Sequence, residues 1–370
     1  MSAITILIKP ASSLCNMRCK YCFYANITEN RECESYGIMS PETLENIVKK
    51  AFEYADDFVN FAFQGGEPTL CGLEFYRKLM KLESKYNIKK IKVNNAIQTN
   101  GYIIDEEWAK FFSENNFLVG LSIDGTMEIH DSMRVDAEGR GTYKKAINAA
   151  KLFDSYKVEY NILCVVNNFT ARYPKKVYQN LKRFKYLQFI PCLDDFDGKK
   201  DKFSLTNERY ANFLKVTFDE YYKDFISGNY VSVRNFDNYL NMMIGRPPES
   251  CAMNGFCACY FVLEGDGSVF PCDFYALDEW KIGDINSESF EEIRNSDTAK
   301  KFISVSINMN EKCKNCKWRG ICRGGCRRDR EPFENGVPGL NRLCESYEEF
   351  FTYAYDRMRE LAVSITKKVT

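Results

Sequence analysis

The sequence has very little histidine: His130 is the only one among 370 residues. This scarcity excludes zinc sites rich in histidine and iron sites built on paired histidines. It also excludes a cysteine nucleophile activated by one of several candidate histidines. Acid–base chemistry must therefore use carboxylate, tyrosine or lysine side chains. We expect His130 to be a structural hydrogen-bonding residue, because a lone histidine seldom acts without partners.

An excess of charge of one sign is also missing. Lysine plus arginine and aspartate plus glutamate each number 51, so there is no basic field of the kind that attracts nucleic acid or anionic membrane. The amino terminus, MSAITILIKP, has no basic region, and its apolar run is too short for a signal peptide or a membrane span. These absences predict a cytoplasmic protein of enzyme size with neither nucleic-acid nor membrane partners, and we expect a monomer.

Cysteine, in contrast, is abundant, with sixteen residues. In a chain without an export signal these should be reduced thiols, and metal ligation is their leading use. The stretch SSLCNMRCKYCFY places Cys15, Cys19 and Cys22 within eight positions. Because a tetrahedral site normally has four protein ligands, this spacing predicts a metal site with one open position, or a zinc site completed by a distant fourth cysteine.

Runs of apolar, β-branched or aromatic residues predict six strands, over 4–9, 58–63, 91–99, 117–124, 158–166 and 186–191. Helical patterns lie between them, and one begins with Ser40 as the N-cap and Pro41 at the first helical position. This alternation predicts an α/β fold with a parallel sheet, either doubly wound or a partial barrel. In both architectures the chemistry lies at the carboxyl ends of the strands, and the cysteine stretch follows the first strand.

Polar loops follow the next three predicted strands. In FQGGEPTL, Gly65 and Gly66 allow close approach of the backbone to a ligand, and Glu67 offers an acceptor; the pair of glycines alone also fits a tight turn. QTNG and SIDG follow the third and fourth strands, with Asn100 and Ser122. Four polar loops at one edge of a sheet favour a binding site there.

CxxxCxxC after the first strand, with Tyr21 directly before the last cysteine and GGEP after the second strand, resembles the radical S-adenosylmethionine (SAM) superfamily. The resemblance implies a partial (β/α)6 barrel. It also implies that Cys15, Cys19 and Cys22 hold three irons of a [4Fe-4S] cluster whose fourth iron chelates S-adenosyl-L-methionine. In that family, an electron delivered to the sulfonium yields a 5'-deoxyadenosyl radical, which takes a hydrogen atom from the substrate.

The resemblance also implies contacts to the SAM molecule. The GGE segment, residues 65–67, is similar to the segment that pairs with the methionine amino group. Ser122 and Arg134 are similar to contacts with the ribose and the carboxylate, and Tyr21 matches the aromatic position of the cluster motif. The residues by themselves leave open a turn, a serine at a strand end and a surface arginine.

The carboxyl third resembles the SPASM extension, which holds two auxiliary [4Fe-4S] clusters. Cys257 is followed by Gly267 and Cys272 at the spacing CX9-15GX4C, and a CX2CX5CX3C run and a final cysteine come later. By similarity to the anaerobic sulfatase-maturating enzymes, the first auxiliary cluster would take Cys251, Cys257, Cys272 and Cys326, and the second Cys313, Cys316, Cys322 and Cys344.

Other uses of these cysteines stay open from the spacing alone. Two zinc ribbons are one alternative, because CxxC pairs bind zinc readily. Cys259 in CACYF could replace Cys257 as a ligand through a slip of two residues. The remaining thiols, which we expect to pack in the core or lie at the rim, are Cys33, Cys71, Cys164 and Cys192.

The resemblance to anaerobic sulfatase-maturating enzymes implies oxidation of a Cys or Ser in an unfolded sulfatase segment to Cα-formylglycine. An auxiliary cluster ligated only by cysteine suits the role of electron acceptor. Asp273 in FPCDFY resembles the proposed base of the family, and Tyr24 resembles its active-site tyrosine. An external one-electron reductant such as flavodoxin or ferredoxin is the expected partner. Without the resemblance, Asp273 fits an N-cap or surface position and Tyr24 a core position.

The predicted domains are a radical SAM partial barrel over 1–203, a bridging helical segment over 204–250, a SPASM domain over 251–350 and a closing helix over 351–370. We expect no winged-helix leader-binding module before the first strand, and this expectation favours sulfatase maturation. The runner-up is a SPASM peptide maturase that forms thioether or carbon–carbon crosslinks in a ribosomal peptide. A third hypothesis is a zinc-stabilised binding protein without redox chemistry.

Overall fold

A computed structural model describes residues 2–196, 198–334 and 336–367 of the chain. The strands within these ranges are β1 (Ile4–Ile8), β2 (Phe58–Phe63), β3 (Lys92–Thr99), β4 (Leu118–Ser122), β5 (Tyr160–Val166), β6 (Tyr186–Pro191), β7 (Ser232–Val233), β8 (Phe261–Leu263), β9 (Ser268–Phe270), β10 (Gly283–Asp284), β11 (Phe333–Glu334) and β12 (Val337–Pro338).

The α-helices within the same ranges are α1 (Phe23–Glu29), α2 (Pro41–Tyr54), α3 (Leu73–Tyr86), α4 (Glu106–Glu114), α5 (Met127–Met133), α6 (Tyr143–Tyr156), α7 (Pro174–Leu181), α8 (Asn207–Ile226), α9 (Arg234–Met243), α10 (Phe290–Arg294), α11 (Asp297–Ile307), α12 (Glu311–Lys314), α13 (Arg319–Cys322) and α14 (Cys344–Lys367). Among these described helices, none is both long and apolar enough to cross a membrane.

The chain divides into two compact units that cut across its sequence. The first unit contains residues 2–123, 131–160 and 259–302, and the second contains the described residues of 124–130, 161–258 and 303–367. A segment of the carboxyl third, residues 259–302, therefore belongs to the same unit as the first four strands. The domain boundaries near 203, 250 and 350 stay predictions.

The sheet of the first unit has the strand order β10-β9-β8-β1-β2-β3-β4. The four strands from β1 to β4 pair in parallel, as predicted from the sequence. Strand β8 pairs in parallel with the other side of β1, with Ile6 opposite Phe261, and β9 and β10 then continue antiparallel. The short strands β8 to β10 were not predicted, because two or three residues are too few to show a period.

Buried apolar side chains explain why these elements form. Ile4, Ile6 and Ile8 of β1 are at most 2% exposed, as expected for alternate residues on one face of a strand. Helix α2 begins as predicted: the Ser40 side chain accepts a hydrogen bond from the Thr43 N–H, and proline occupies the first helical position. Burial of an isoleucine side chain of β1, such as Ile6, stabilises the fold by about 1.5–3 kcal/mol.

The second unit contains β5, β6 and β7, which pair in parallel. Aromatic rings join its long helices: Phe218 of α8 lies 5.7 Å from Phe350 of α14, and Tyr239 of α9 lies 5.0 Å from Phe351. Helix α14 begins at Cys344, seven positions before the start of the predicted closing helix. His130 is buried, and its Nδ1 accepts a hydrogen bond from the Asp124 N–H at 3.2 Å, as expected of a structural histidine.

Candidate active site

Cys15, Cys19 and Cys22 lie together in the loop between β1 and α1, and Cys22 directly precedes α1. Burial, together with the charges of Glu67, Cys19 and Cys22, raises the pKa of the Cys15 thiol to about 12. A crowded set of thiols is costly to ionise unless a cation neutralises it. The donor set therefore fits an iron–sulfur cluster held by three thiolates.

Side-chain nitrogens of two residues contact these sulfurs, in addition to the Met17 N–H, which donates to Cys15 Sγ at 3.4 Å. Asn100 Nδ2, from the loop after β3, lies 3.9 Å from Cys15 Sγ, and Arg134 Nη1 lies 3.9 Å from Cys19 Sγ. Donors that contact ligating sulfurs tune the reduction potential of a cluster. Asn100 also donates to Asn16 Oδ1 at 2.8 Å, which joins the third strand to the cysteine loop.

Gly65 and Gly66 let the loop after β2 approach the cysteine loop closely. The Gly66 N–H donates to Ser12 O and the Glu67 N–H donates to Leu14 O, both at 2.8 Å. A Cβ atom at Gly66 would lie 2.1 Å from the Leu14 carbonyl oxygen. The glycines are thus required for backbone contact with the cysteine loop, and their contact with the SAM amino group stays a prediction.

Glu67 is buried and links the loop after β2 to the end of β3. Its Oε1 accepts from the hydroxyls of Thr69 and Thr99 at 2.6 and 2.7 Å, and its Oε2 accepts from the Asn100 N–H at 2.8 Å. Burial raises the pKa of Glu67, and these hydrogen bonds lower it. The carboxylate therefore has a structural role at the edge of the sheet, beside any contact it makes with a ligand.

The other three residues expected to contact SAM also lie in the first unit. Ser122 is the last residue of β4 and is 5% exposed. Arg134 is buried rather than on the surface, and its guanidinium carbon lies 5.4 Å from the centroid of the Tyr21 ring. Arg134 and Tyr21 thus meet beside Cys19, where a cation could bind the SAM carboxylate.

Tyr24, which the family resemblance singles out, is buried in α1 and donates its hydroxyl to Glu264 Oε1 in a short hydrogen bond. Glu264 directly follows β8. Its carboxylate also pairs with Arg31 Nη1 at 2.9 Å and accepts from Ser12 Oγ at 2.8 Å. Burial, and then the Glu264 carboxylate, raise the pKa of Tyr24 well above its usual value. Tyr24 is therefore a hydrogen-bond donor rather than a proton source near neutral pH.

Asp273, the predicted base, follows Cys272 and begins the 3-10 helix Asp273–Tyr275. Lys9 Nζ lies 2.5 Å from its Oδ1, and Gln64 Nε2 donates to its Oδ2 at 2.8 Å. The same Lys9 Nζ lies 3.5 Å from the centroid of the Tyr24 ring. The structure thus brings Asp273 and Tyr24 together through a lysine.

Sequence reasoning did not identify Lys9, Gln64 or Glu264 as residues of this site. Each one directly follows an apolar strand, β1, β2 and β8 respectively. A polar residue at the carboxyl end of a parallel strand is a signal for a site in such folds. That signal was available for Gln64; Lys9 was included in the predicted first strand, and β8 itself was not predicted.

The cysteines of the first predicted auxiliary set occur in both units. In the second unit, burial raises the pKa of Cys326, and the charges of Asp329, Cys251 and Cys257 raise it further, so these three thiols lie close together. Cys272 lies in the first unit, directly before Asp273. Burial raises the pKa of Cys259 to about 11, and the charge that acts on this thiol is that of Arg294, which lowers the pKa. This difference supports Cys257 rather than Cys259 as the ligand.

The second predicted auxiliary set lies entirely in the second unit. Burial, together with the charges of Cys344, Cys313 and Cys316, raises the pKa of Cys322 to about 11. The charges of the other three thiols therefore reach Cys322, and their joint ligation of a cluster stays a prediction. All sixteen cysteines lie within the described residues, and no disulfide bond joins any two of them there.

The fold and the cysteine sets define a radical SAM enzyme with a carboxyl-terminal iron–sulfur domain. Residues 10–181 match the family model of the Radical SAM superfamily, and residues 254–317 match that of the SPASM iron–sulfur cluster-binding domain. The expected cofactors, [4Fe-4S] clusters and S-adenosyl-L-methionine, are thereby confirmed, and the cysteines present suit three clusters. None of the zinc alternatives is supported.

Three similar proteins show to which group of radical SAM enzymes the chain belongs. A cysteine-type anaerobic sulfatase-maturating enzyme of Clostridium novyi (strain NT) is 50% identical, over 99% of each chain. A serine-type enzyme of Bacteroides thetaiotaomicron is 32% identical, over 94% of this chain and 88% of its own. The solved structure of native anSMEcpe with bound AdoMet and Cp18Cys peptide has a TM-score of 0.94 and 50% identity, and the match covers 98% of this chain and 100% of that one. The chain belongs to the anaerobic sulfatase-maturating enzymes.

Proposed function

We propose that this enzyme oxidises a cysteine, in preference to a serine, within an unfolded sulfatase segment to Cα-formylglycine. The observation that carries the preference is the 50% identity to the cysteine-type relative against 32% to the serine-type relative. The sequence alone left this choice open. The similar solved structure binds a peptide whose name, Cp18Cys, supports the same substrate class.

The reaction removes one hydrogen atom from Cβ, one further electron and the thiol proton. When bound, SAM and the first cluster supply the hydrogen-atom acceptor, and an auxiliary cluster accepts the electron. The carbon–sulfur double bond that results is hydrolysed by water to the aldehyde, with loss of hydrogen sulfide. The chain itself must hold the substrate side chain and accept the thiol proton.

Asp273 is the residue best suited to accept the substrate thiol proton. Its side chain is 15% exposed, so it is accessible to a substrate; its Oδ2 accepts a hydrogen bond from Gln64 Nε2, and its Oδ1 lies 2.5 Å from the Lys9 ammonium nitrogen. Tyr24 lies beside this site. Its hydroxyl donates a hydrogen bond to Glu264, and its ring packs against the Lys9 ammonium group. We infer that Asp273 accepts the proton and that Tyr24 has a positioning role.

Two peptides that differ at one residue test the substrate preference. A sulfatase-motif peptide with cysteine at the modified position, SAM and a strong reductant should give a formylglycine product by mass analysis under anaerobic conditions. The serine peptide should react with a lower kcat/KM, and an alanine peptide should give no aldehyde. Equal or faster reaction of the serine peptide would contradict the preference. A crosslinked product without aldehyde would favour the maturation of ribosomal peptides.

Asp273→Asn tests the base. The amide keeps the shape of the side chain but cannot accept the proton, so formylglycine formation should fall by roughly 10²–10⁴-fold. Iron content and SAM binding should stay unchanged, and 5'-deoxyadenosine should still form without product. A proportional loss of iron and of every activity would show instead that Asp273 only supports the loop beside Cys272.

We propose that the external reductant is an acidic one-electron carrier that binds the surface around the second auxiliary set. Lys317 and Arg319 are exposed there, between Cys316 and Cys322, and neither forms an ion pair with another residue of the described ranges. Electrostatic attraction of this kind accelerates association at low salt. The double variant Lys317→Glu/Arg319→Glu should slow turnover with a flavodoxin or ferredoxin but not with dithionite. Equal slowing with both reductants would contradict the assignment.

A further inference from the structure

Lys9 is a fully buried cation that touches two residues of the proposed reaction. Its side chain is 0% exposed, and its Nζ contacts both the Asp273 carboxylate and the Tyr24 ring. A buried ammonium is costly unless it is paired and hydrogen-bonded. Its position therefore needs an explanation beyond the packing of the strand.

The contacts of Lys9 are incomplete for a structural ion pair. Within the described ranges, neither Lys9 Nζ nor Asp273 Oδ1 makes a hydrogen bond of good geometry, although the two atoms are only 2.5 Å apart. An ammonium group has three donors, and buried donors are normally satisfied. In contrast, the buried pair Arg31–Glu264 has directed hydrogen bonds, including one to the Cys33 carbonyl oxygen.

The backbone around Lys9 is fixed. Its N–H donates to Leu263 O of β8 at 2.8 Å, and its carbonyl oxygen accepts from the Ser12 N–H at 3.1 Å. The stem packs closely against Gly65, where a Cβ atom would lie 3.1 Å from Lys9 Cβ. The fixed end of β1 thus places the Lys9 ammonium group beside Asp273 Oδ1. Gln64 donates a hydrogen bond to the second carboxylate oxygen, Oδ2.

We propose that Lys9 is a further positioning residue of this reaction: it holds the Asp273 carboxylate, against the ring of Tyr24, in the orientation that receives the substrate proton. This inference rests on the proposed role of Asp273. It predicts that Lys9 acts through Asp273. Loss of Lys9 should lower the formylglycine formed per SAM cleaved, and should change neither the rate of SAM cleavage nor the affinity for the peptide.

Lys9→Met keeps the length of the stem and removes the charge. We expect formylglycine formed per 5'-deoxyadenosine to fall by about ten- to a hundredfold, as for other residues that orient a reacting group. Iron content, 5'-deoxyadenosine formation and KM for the peptide should change little. Lys182→Met is the matched control, because Lys182 also pairs with a carboxylate, Asp224 at 3.1 Å, in the second unit; it should keep the wild-type ratio.

The double variant Lys9→Met/Asp273→Asn decides whether Lys9 acts through Asp273. It should have the same product ratio as Asp273→Asn alone, because mutations of residues that act as one unit are not additive. It also removes both charges, so it remains informative if Lys9→Met alone fails to fold around an unpaired carboxylate. A further fall in the double variant would overturn the inference, as would a wild-type ratio in Lys9→Met.

These outcomes separate the inference from the function on which it rests. If Asp273→Asn keeps wild-type formylglycine production, the base assignment fails. If Asp273→Asn loses production while Lys9→Met keeps the normal ratio, the base assignment stands and only the role of Lys9 is wrong.

Discussion

Glu264 accepts the hydroxyl hydrogen bond of Tyr24, although the two residues are 240 positions apart in the sequence. Strand β8 makes this contact possible, because it pairs in parallel with β1 and ends beside the cysteine loop. The same carboxylate neutralises Arg31, and both side chains of that pair are 0% exposed. A residue of the carboxyl third thus contacts the segment that follows Cys15, Cys19 and Cys22.

We expect Glu264→Gln to destabilise the enzyme, because it leaves the buried Arg31 charge without a partner. Breaking a buried ion pair in this way costs about 3–5 kcal/mol. Thermal unfolding and the iron content of anaerobically purified protein measure the effect. The matched control is Glu249→Gln, which changes an exposed glutamate 3.7 Å from Arg234 and should have little effect. Equal stability of the two variants would contradict the role given to Glu264.

Gly66→Ala should disrupt the approach of the GGE loop to the cysteine loop. The new Cβ would lie 2.1 Å from a backbone carbonyl oxygen, which cannot move aside as a flexible side chain can. We expect loss of SAM cleavage together with loss of iron from the first cluster. Gly320→Ala is the control, because its Cβ would meet no atom within 4 Å. Normal SAM cleavage in Gly66→Ala would show that the contact is dispensable.

Cys257→Ala and Cys259→Ala should differ in iron content. If Cys257 is the ligand, as its position near Cys251 and Cys326 indicates, its loss should remove one cluster, about four irons per chain. Cys259→Ala should keep the full content. Iron and acid-labile sulfide analysis of the two variants checks this, and the opposite result would assign Cys259.

Glu83 of α3 should make stability depend on pH. Burial raises its pKa from 4.5 to about 7, and its Oε1 has no hydrogen-bond partner among the described residues. The folded state therefore holds this proton more tightly than the unfolded state, so the contribution of Glu83 to stability falls as pH rises from about 4.5 to 7.

Glu83→Gln should accordingly raise the melting temperature at pH 8 and change it little near pH 5. The gain at high pH is at most about 3.4 kcal/mol, from a pKa difference of roughly 2.5. Anaerobic thermal unfolding at the two pH values measures it. Glu53→Gln, an exposed glutamate, should give no such dependence, and a gain that is the same at both pH values would refute the titration of Glu83.

Much of the fold follows from local patterns. All six predicted strands are present, with ends that differ by at most two residues, and Ser40 and Pro41 begin α2 as predicted. Apolar periodicity and capping residues act within a few positions of the chain, so they can be read directly from it. The same holds for the cysteine spacings, since ligands from one loop must be close in sequence.

The sequence by itself determined the family, the cofactors and the oxidative chemistry, because the motifs that carry the resemblance, CxxxCxxC and the later cysteine run, are local in the sequence. It also singled out Asp273 and Tyr24, but only through the family resemblance. The tertiary structure alone decided that Lys9 joins these two residues and that Glu264 holds Tyr24. These contacts depend on the pairing of β8 with β1, and a strand of three residues has too little pattern for its partner, some 250 positions away, to be predicted.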